Sequence, residues 1–255
     1  MLEKYYKKRD SGDSEASVET DFSSGDVEAE FRLFSLASVE DGQETWAMHT
    51  NGTVKYNPQG GDVPPSVMPA SYMKEVMERC PKTMDQKTFY QRMWDREYHL
   101  GKHFQWVGDV QYGDREGYSL FRAPMDAYET EGFEIFPGLI DAAFQLVAAT
   151  FFDNVSGTTY IPFQIAGFYY YQKPDPKRRL WVHAKERFRS EDGQVLHSDV
   201  NIMYEDGSVV ASVVDLNLWR GSNSKVSVLC AEGSGVEISS GHSFSEDQSL
   251  DNRSS

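Results

Sequence analysis

Between Arg178 and Arg220 apolar and polar residues alternate with a period of two, the pattern of antiparallel strands with one dry face. Leu180, Val182 and Phe188 fall on one face of a first strand, and Leu196, Val200 and Ile202 on one face of a second. Val210, Val214, Leu216 and Leu218 do the same in a third. The opposite face carries His183, Lys185, Arg187, His197, Asp199 and Asn201 and is read as solvated. Asp192-Gly193 and Asp206-Gly207 mark tight hairpin turns between these strands. Further strand-like runs cover 104–112, 117–122 and 160–171. Nearer the start, Phe31–Leu36 and Thr45–His49 flank an Asp41-Gly42 turn signal, and Asn51-Gly52 leads into Thr53–Tyr56.

One stretch breaks the alternation. From Pro137 to Phe152 the chain is apolar on nearly every face, with Asp141 and Gln145 the principal polar residues. A helix that is hydrophobic all round is a buried helix, and Pro137 suits its first turn, where a missing N–H costs nothing. Tyr72–Arg79 and Thr88–Arg96 read as two shorter helices. The class is therefore α+β. A long buried helix wrapped by an antiparallel sheet is the hot-dog arrangement, although alternation alone also suits other α+β folds.

The elements divide the chain into a flexible, acidic and Ser-rich tail (1–28), the strands of a small sheet (29–56), a Pro- and Gly-rich linker with a short helix (57–84), the hot-dog body (85–220) and a second flexible tail (221–255). Neither tail has enough large apolar residues to offset the entropy of ordering. Much of the formal net charge of −15 sits in those tails. Such acidity serves solubility and argues against nucleic-acid binding, which is carried by Lys and Arg. No apolar run reaches the roughly 20 residues that span a bilayer. Met1–Asp10 is charged with no hydrophobic segment behind it. Cys80 and Cys230 are far apart and read as free thiols. The expectation is a cytoplasmic protein with neither membrane nor nucleic acid as partner.

Asp141 and Gln145 lie four residues apart, so a helix sets them on one face about a turn from each other. The Gln amide can donate to the carboxyl and hold it. A carboxyl amid Leu139, Ile140, Ala142, Ala143 and Phe144 is costly unless paired or protonated. Burial raises its pKa, while a place in the first helical turn lowers it. A buried acid is useful for general acid catalysis; the plainer reading is that Asp141 caps the helix. His103 and His183 are the candidate bases, with a solvated surface role preferred for His183. No Cys/His/Asp/Glu grouping has metal-ligand spacing, and no GxSxG, P-loop or dinucleotide fingerprint is present. Neither metal nor cofactor is expected. Lys177-Arg178-Arg179 is a basic cluster before a strand, suited to a hairpin loop or to contact with an acidic partner.

Phe136-Pro137-Gly138-Leu139-Ile140-Asp141-Ala142-Ala143-Phe144-Gln145 resembles the HPxxLDxxxQ signature of polyketide synthase dehydratase domains. Thr88-Phe89-Tyr90 and Tyr98–Gln105 resemble the helix and YGPxFQ segment that open the second hot dog of that family. Thr159–Ile165 resembles its YvPfxI strand, and Leu180–Ala184 with Asp199–Leu218 its closing strands. The resemblance covers about Thr88 to Arg220, with Phe31–Tyr56 similar to the last strands of the first hot dog.

The resemblance implies one nearly complete hot dog, the C-terminal half of the domain, plus part of another. It implies dehydration of a 3-hydroxyacyl chain that arrives on the phosphopantetheine arm of an acyl carrier protein. Asp141 matches the residue that helps the 3-hydroxyl leave as water, and Gln145 the one that orients it. Phe136, Pro137, His103 and Phe104 match positions at the substrate. Three departures stand out. None of the six histidines lies in the family's HxxxGxxxxP motif, which supplies the base that removes the C2 proton. Phe136 replaces the His of HPxxLD. Leu100-Gly101-Lys102-His103-Phe104-Gln105 loses the Tyr and Pro of YGPxFQ, and with them polar support for the substrate. Three readings follow. The chain works with a partner chain or domain that carries the HxxxGxxxxP half. It is a non-catalytic half that binds carrier-tethered substrates or stabilises an assembly. Or it is a fragment of a larger synthase, with that motif encoded upstream of Met1.

Overall fold

In the computed structural model, which describes residues 27–40, 43–56, 63–124, 133–153 and 159–221, the strand-like runs at the start extend into one long hairpin. β1 (Val27–Glu40) pairs antiparallel with β2 (Gln43–Tyr56). The Asn51-Gly52 pair sits inside β2, opposite Arg32 and Phe31. The hairpin belongs to the first of two compact units, Met1–Val63. The Asp41-Gly42 turn and nearly all of both expected tails lie outside the described residues.

The second unit, Pro64–Ser255, begins well before residue 85. Residues 64–84, expected as linker with a short helix, contribute α1 (Tyr72–Arg79) and a short strand, β3 (Lys82–Met84). Three residues are too few to show a period, so β3 leaves no pattern in the sequence. α2 (Gln86–Trp94) follows, its start fixed by the Asp85 carboxylate, which accepts the Thr88 N–H at 2.7 Å. A 3₁₀ turn (Lys102–Phe104) then occupies the start of the expected 104–112 strand, so β4 covers Val107–Tyr112. After β5 (Glu116–Phe121) comes the central helix α3 (Pro137–Gln145), which tightens into a 3₁₀ segment over Leu146–Thr150. β6 (Tyr160–Tyr170), β7 (Leu180–Arg189), β8 (Val195–Tyr204) and β9 (Val209–Arg220) complete the unit.

Seven strands form one antiparallel sheet in the order β3-β4-β5-β7-β8-β9-β6. α3 and its 3₁₀ extension pack against β4, β5, β7 and β8, with Ala142, Ala143, Leu146 and Val147 fully buried against Val182, Ala184, Leu196 and Val200. This is the hot-dog fold. Burial of each large side chain in that layer contributes about 1.5–3 kcal/mol. Both Asp-Gly turns form as expected, with Gly193 at φ 65° and Gly207 at φ 85°. A Cβ at Gly207 would also meet the Met68 carbonyl oxygen at 2.8 Å.

Three expectations about the faces need correction. The β7–β8 register shifts between Glu186 and Phe188, so Phe188 leaves the dry face and is exposed. In β9, Asp215 takes a left-handed φ of 55°, and beyond this irregularity the parity of the strand changes. Val213 therefore points into the core, while Val214 is only half-buried. The third concerns His183, read as solvated. It is 3% exposed. α1 lies over its face of the sheet, packing Val76 and Cys80 with Tyr118 and Trp181. His183 accordingly bonds to the Tyr72 hydroxyl through Nδ1 at 2.7 Å and to Glu116 through Nε2 at 2.8 Å.

Candidate active site

Phe136 takes an extended conformation at the N-cap of α3, and Pro137 opens the first turn. No side chain caps this end, and no acidic residue lies in the first turn. Asp141 is thus not a helix cap, and it sits too far along α3 for the first-turn dipole to dominate its titration. It is half-buried. Burial raises its pKa, with the Gln145 hydrogen bond pulling the other way.

The Gln145 amide donates to Asp141 Oδ2 at 2.6 Å and to the Phe104 carbonyl at 2.9 Å. Its Oε1 accepts the Tyr90 hydroxyl at 3.2 Å, and that hydroxyl accepts the Val107 N–H at 3.0 Å. Burial pushes the Tyr90 phenol well up, against the Val107 N–H and aided by the Asp141 charge, so it remains a neutral donor. Four elements meet here: α2 brings Tyr90, the 3₁₀ turn Phe104, β4 Val107, and α3 the Asp–Gln pair.

The structure thus joins Asp141, Gln145 and Phe104, the last through its backbone. Phe136 supports them from the side, its ring against Trp106 with centroids 5.7 Å apart. His103 enters only through its carbonyl, which accepts the Trp106 indole N–H at 2.8 Å, and the residue is exposed. Pro137 is exposed and serves the helix start. His183 belongs to the network under α1, and His49, exposed in the first unit, bonds to Ser35 at 2.6 Å. Nothing in the sequence marks Tyr90 for chemistry. It follows the fully buried Phe89 on α2, and nothing in its spacing to Gln145 signals their contact.

An open cleft of about 400 Å³ lies against α2, with Lys87, Trp94, Tyr98 and Gln105 in its lining. Tyr90 lines it too, but neither Asp141 nor Gln145 does, so Asp141 reaches the cleft only through Gln145 and Tyr90. Among the described residues no group of three or more His, Cys, Asp or Glu could hold a metal ion, and no helix is long and apolar enough to cross a membrane. In the loop before β7, Arg178 pairs with Asp206 at 2.6 Å and lies over the Tyr204 ring at 3.5 Å, so its charge is already engaged within the chain.

Gly138 lets α3 approach the 3₁₀ turn. A Cβ there would stand 2.7 Å from the His103 carbonyl oxygen and 2.7 Å from the Phe136 ring. Gly138→Ala is therefore expected to cost roughly 1–3 kcal/mol of stability, measurable as a lower urea midpoint with unchanged m-value.

Residues 70–227 match the family model described as "Polyketide synthase dehydratase N-terminal domain". That description names an N-terminal domain, whereas the matched stretch carries the Asp141 decamer, which the resemblance assigns to the second hot dog. Among solved structures, the dehydratase domain from the CurJ module of curacin polyketide synthase is 26% identical, with a TM-score of 0.63 over 75% of this chain and 63% of that one. An inactive mutant of the CurJ dehydratase, with a histidine replaced by phenylalanine and a compound bound, is 25% identical with a TM-score of 0.64, over 76% of this chain and 64% of that one. The dehydratase domain of a mycocerosic acid synthase-like polyketide synthase, 17% identical with a TM-score of 0.61 over 77% and 65% of the two chains, shares the fold. The chain thus spans less than two thirds of the length of these dehydratases. No curated protein matches it.

Proposed function

Because the chain belongs to the polyketide synthase dehydratase family, we propose that it supplies the acid half of a dehydratase acting on 3-hydroxyacyl chains held on the phosphopantetheine arm of an acyl carrier protein. The observation that carries this reading is the half-buried Asp141 carboxyl, raised in pKa and held by Gln145 at 2.6 Å. A histidine from a half bearing HxxxGxxxxP takes the C2 proton. The electron pair of the broken C2–H bond becomes the C2=C3 double bond. The C3–O bond breaks, and the leaving hydroxyl takes the Asp141 proton to depart as water. Asp141 is left ionised and recovers a proton for the next cycle. No resident cofactor takes part. The setting is cytoplasmic.

Two observations favour a partner half. In the CurJ mutant, exchange of a histidine for phenylalanine accompanies inactivity, and here His103 is exposed while His183 is bound to Glu116 on the face under α1. In addition, β6 is an outer strand of the sheet with Phe163, Ile165, Phe168 and Tyr170 exposed. A long apolar edge of this kind is a ready surface for added strands. The same absence of a described base beside Asp141 favours the second reading, a non-catalytic half that binds carrier-tethered chains.

The test is reconstitution. The full chain and a separately made histidine-bearing half are each given a 3-hydroxyacyl carrier protein, alone and then together, and loss of water is followed by mass spectrometry. Turnover is expected only for the mixture. Robust turnover by this chain alone would overturn the need for a partner, and none in a stable mixed complex would favour the binding role.

A further inference from the structure

The geometry points to Tyr90 as a positioning residue for Asp141: through Gln145, its hydroxyl sets which carboxyl oxygen carries the acidic proton. This rests on the reading of Asp141 as the acid. The direction of each hydrogen bond follows from the main chain. The Val107 N–H can only donate, so the Tyr90 oxygen accepts it, and the single phenolic proton is left for Gln145 Oε1. Gln145 Oε1 then faces Tyr90, and its Nε2 faces Asp141 Oδ2 and the Phe104 carbonyl. Both amide hydrogens and the amide oxygen are thereby engaged.

A flipped amide would set Oε1 against two acceptors and Nε2 against a hydroxyl whose proton it cannot accept. Gln145 is buried, so such mismatches are costly. Because Oδ2 already accepts an N–H, a proton on Asp141 resides on Oδ1, which has no hydrogen-bond partner among the described residues. Without the Tyr90 hydroxyl, only the Phe104 carbonyl and the carboxyl itself hold the amide. A protonated Asp141 then gains an alternative in which its proton turns inward to a flipped Gln145 Oε1. The acid would persist, but its proton would be misdirected. A merely structural role for Tyr90, anchoring the start of β4 through Val107, would leave Asp141 untouched.

The experiment follows the Asp141 side-chain carboxyl by carbon-detected NMR across pH in the full chain. In Tyr90→Phe the loosened Gln145 bond should move the Asp141 titration to higher pH. Site-specific replacement of Tyr90 by fluorotyrosine, which keeps the ring and strengthens the donor, should move it downward. This second variant remains informative if the Phe variant does not fold. In a Gln145→Ala background Tyr90→Phe should have no further effect, because the relay is already gone. No movement of Asp141 in a folded Tyr90 variant, or an undiminished shift without Gln145, would overturn the relay. Either result would leave the dehydratase reading standing, since none of these titrations depends on turnover. In the reconstituted enzyme, Tyr90→Phe should lower kcat about tenfold with little change in KM.

Discussion

Asp141→Asn is expected to lower turnover of the reconstituted dehydratase by about 10²–10⁴-fold, the range that a positioned general acid or base contributes. The substitution keeps the volume and an oxygen able to accept the Gln145 amide, and it removes only the transferable proton. The fold should survive unharmed. Burial raises the folded pKa of Asp141 above the ordinary 3.8, so in the folded chain the charged form is the costly one. Between 3.8 and that raised value the folded state holds more protons than the unfolded state, and stability falls as pH rises through the window. An uncharged Asn escapes this loss, so at neutral pH the variant should melt at the same temperature as the parent or higher. In the reconstituted enzyme the alkaline limb of activity is expected to follow loss of the Asp141 proton, above the ordinary carboxylate range. An inactive Asn variant with unchanged melting identifies chemistry. An equally active one would remove Asp141 from the mechanism.

The largest effect on stability is expected at Glu116, on the other face of the sheet. This carboxylate is 3% exposed and accepts His183 Nε2 at 2.8 Å, Arg79 Nε at 2.7 Å and an Arg79 terminal nitrogen at 2.8 Å. Burial alone would raise its pKa, but the Arg79 and His183 bonds and charges outweigh burial and bring it down to about 2. Glu116→Ala leaves His183 buried without its acceptor, and α1 loses its tie to β5 through Arg79. Arg79 is half-exposed and can be resolvated, so the main loss is the unpaired buried His183 donor, about 1–3 kcal/mol, which in a domain of this size lowers Tm by about 5 °C. The pH dependence has a definite sign. The folded pKa lies below the ordinary 4.5, so the stabilisation is fully present above 4.5 and disappears as pH falls towards about 2. Solvent around the half-exposed Arg79 screens part of this, so the window holds about 1–2 kcal/mol. Urea midpoints at neutral and acid pH should converge for the parent and Glu116→Gln as the acid side is approached. Parallel curves would show that the Glu116 charge contributes nothing.

Most of the strands, the last two turns and the central helix are legible in the amino-acid pattern because each is a local property, whereas the three-residue β3 is not. Alternation of apolar residues marks β7, β8 and β9, the two Asp-Gly pairs supply the φ that tight turns require, and the apolar run from Pro137, interrupted mainly by Asp141 and Gln145, reads as a buried element. The bounds of α1 agree at both ends with the spacing in Tyr72–Arg79. Asp141 and Gln145 were legible for the same reason, since four residues on a helix fix their proximity without help from the rest of the chain. Tertiary structure decided what covers each face. A period of two separates the faces of a strand but does not say which is wet, and α1, legible as a helix but not as a cover, buries His183 from 111 residues away in sequence. Single-residue irregularities at Glu186/Phe188 and Asp215 reverse parity without altering composition, which is why Phe188 and Val214 left the face assigned to them. Tyr90 reaches Gln145 across 55 residues. A contact of that span leaves no periodic trace, and only the packing of α2 and β4 around α3 turns an ordinary tyrosine into the group that aims the amide at Asp141.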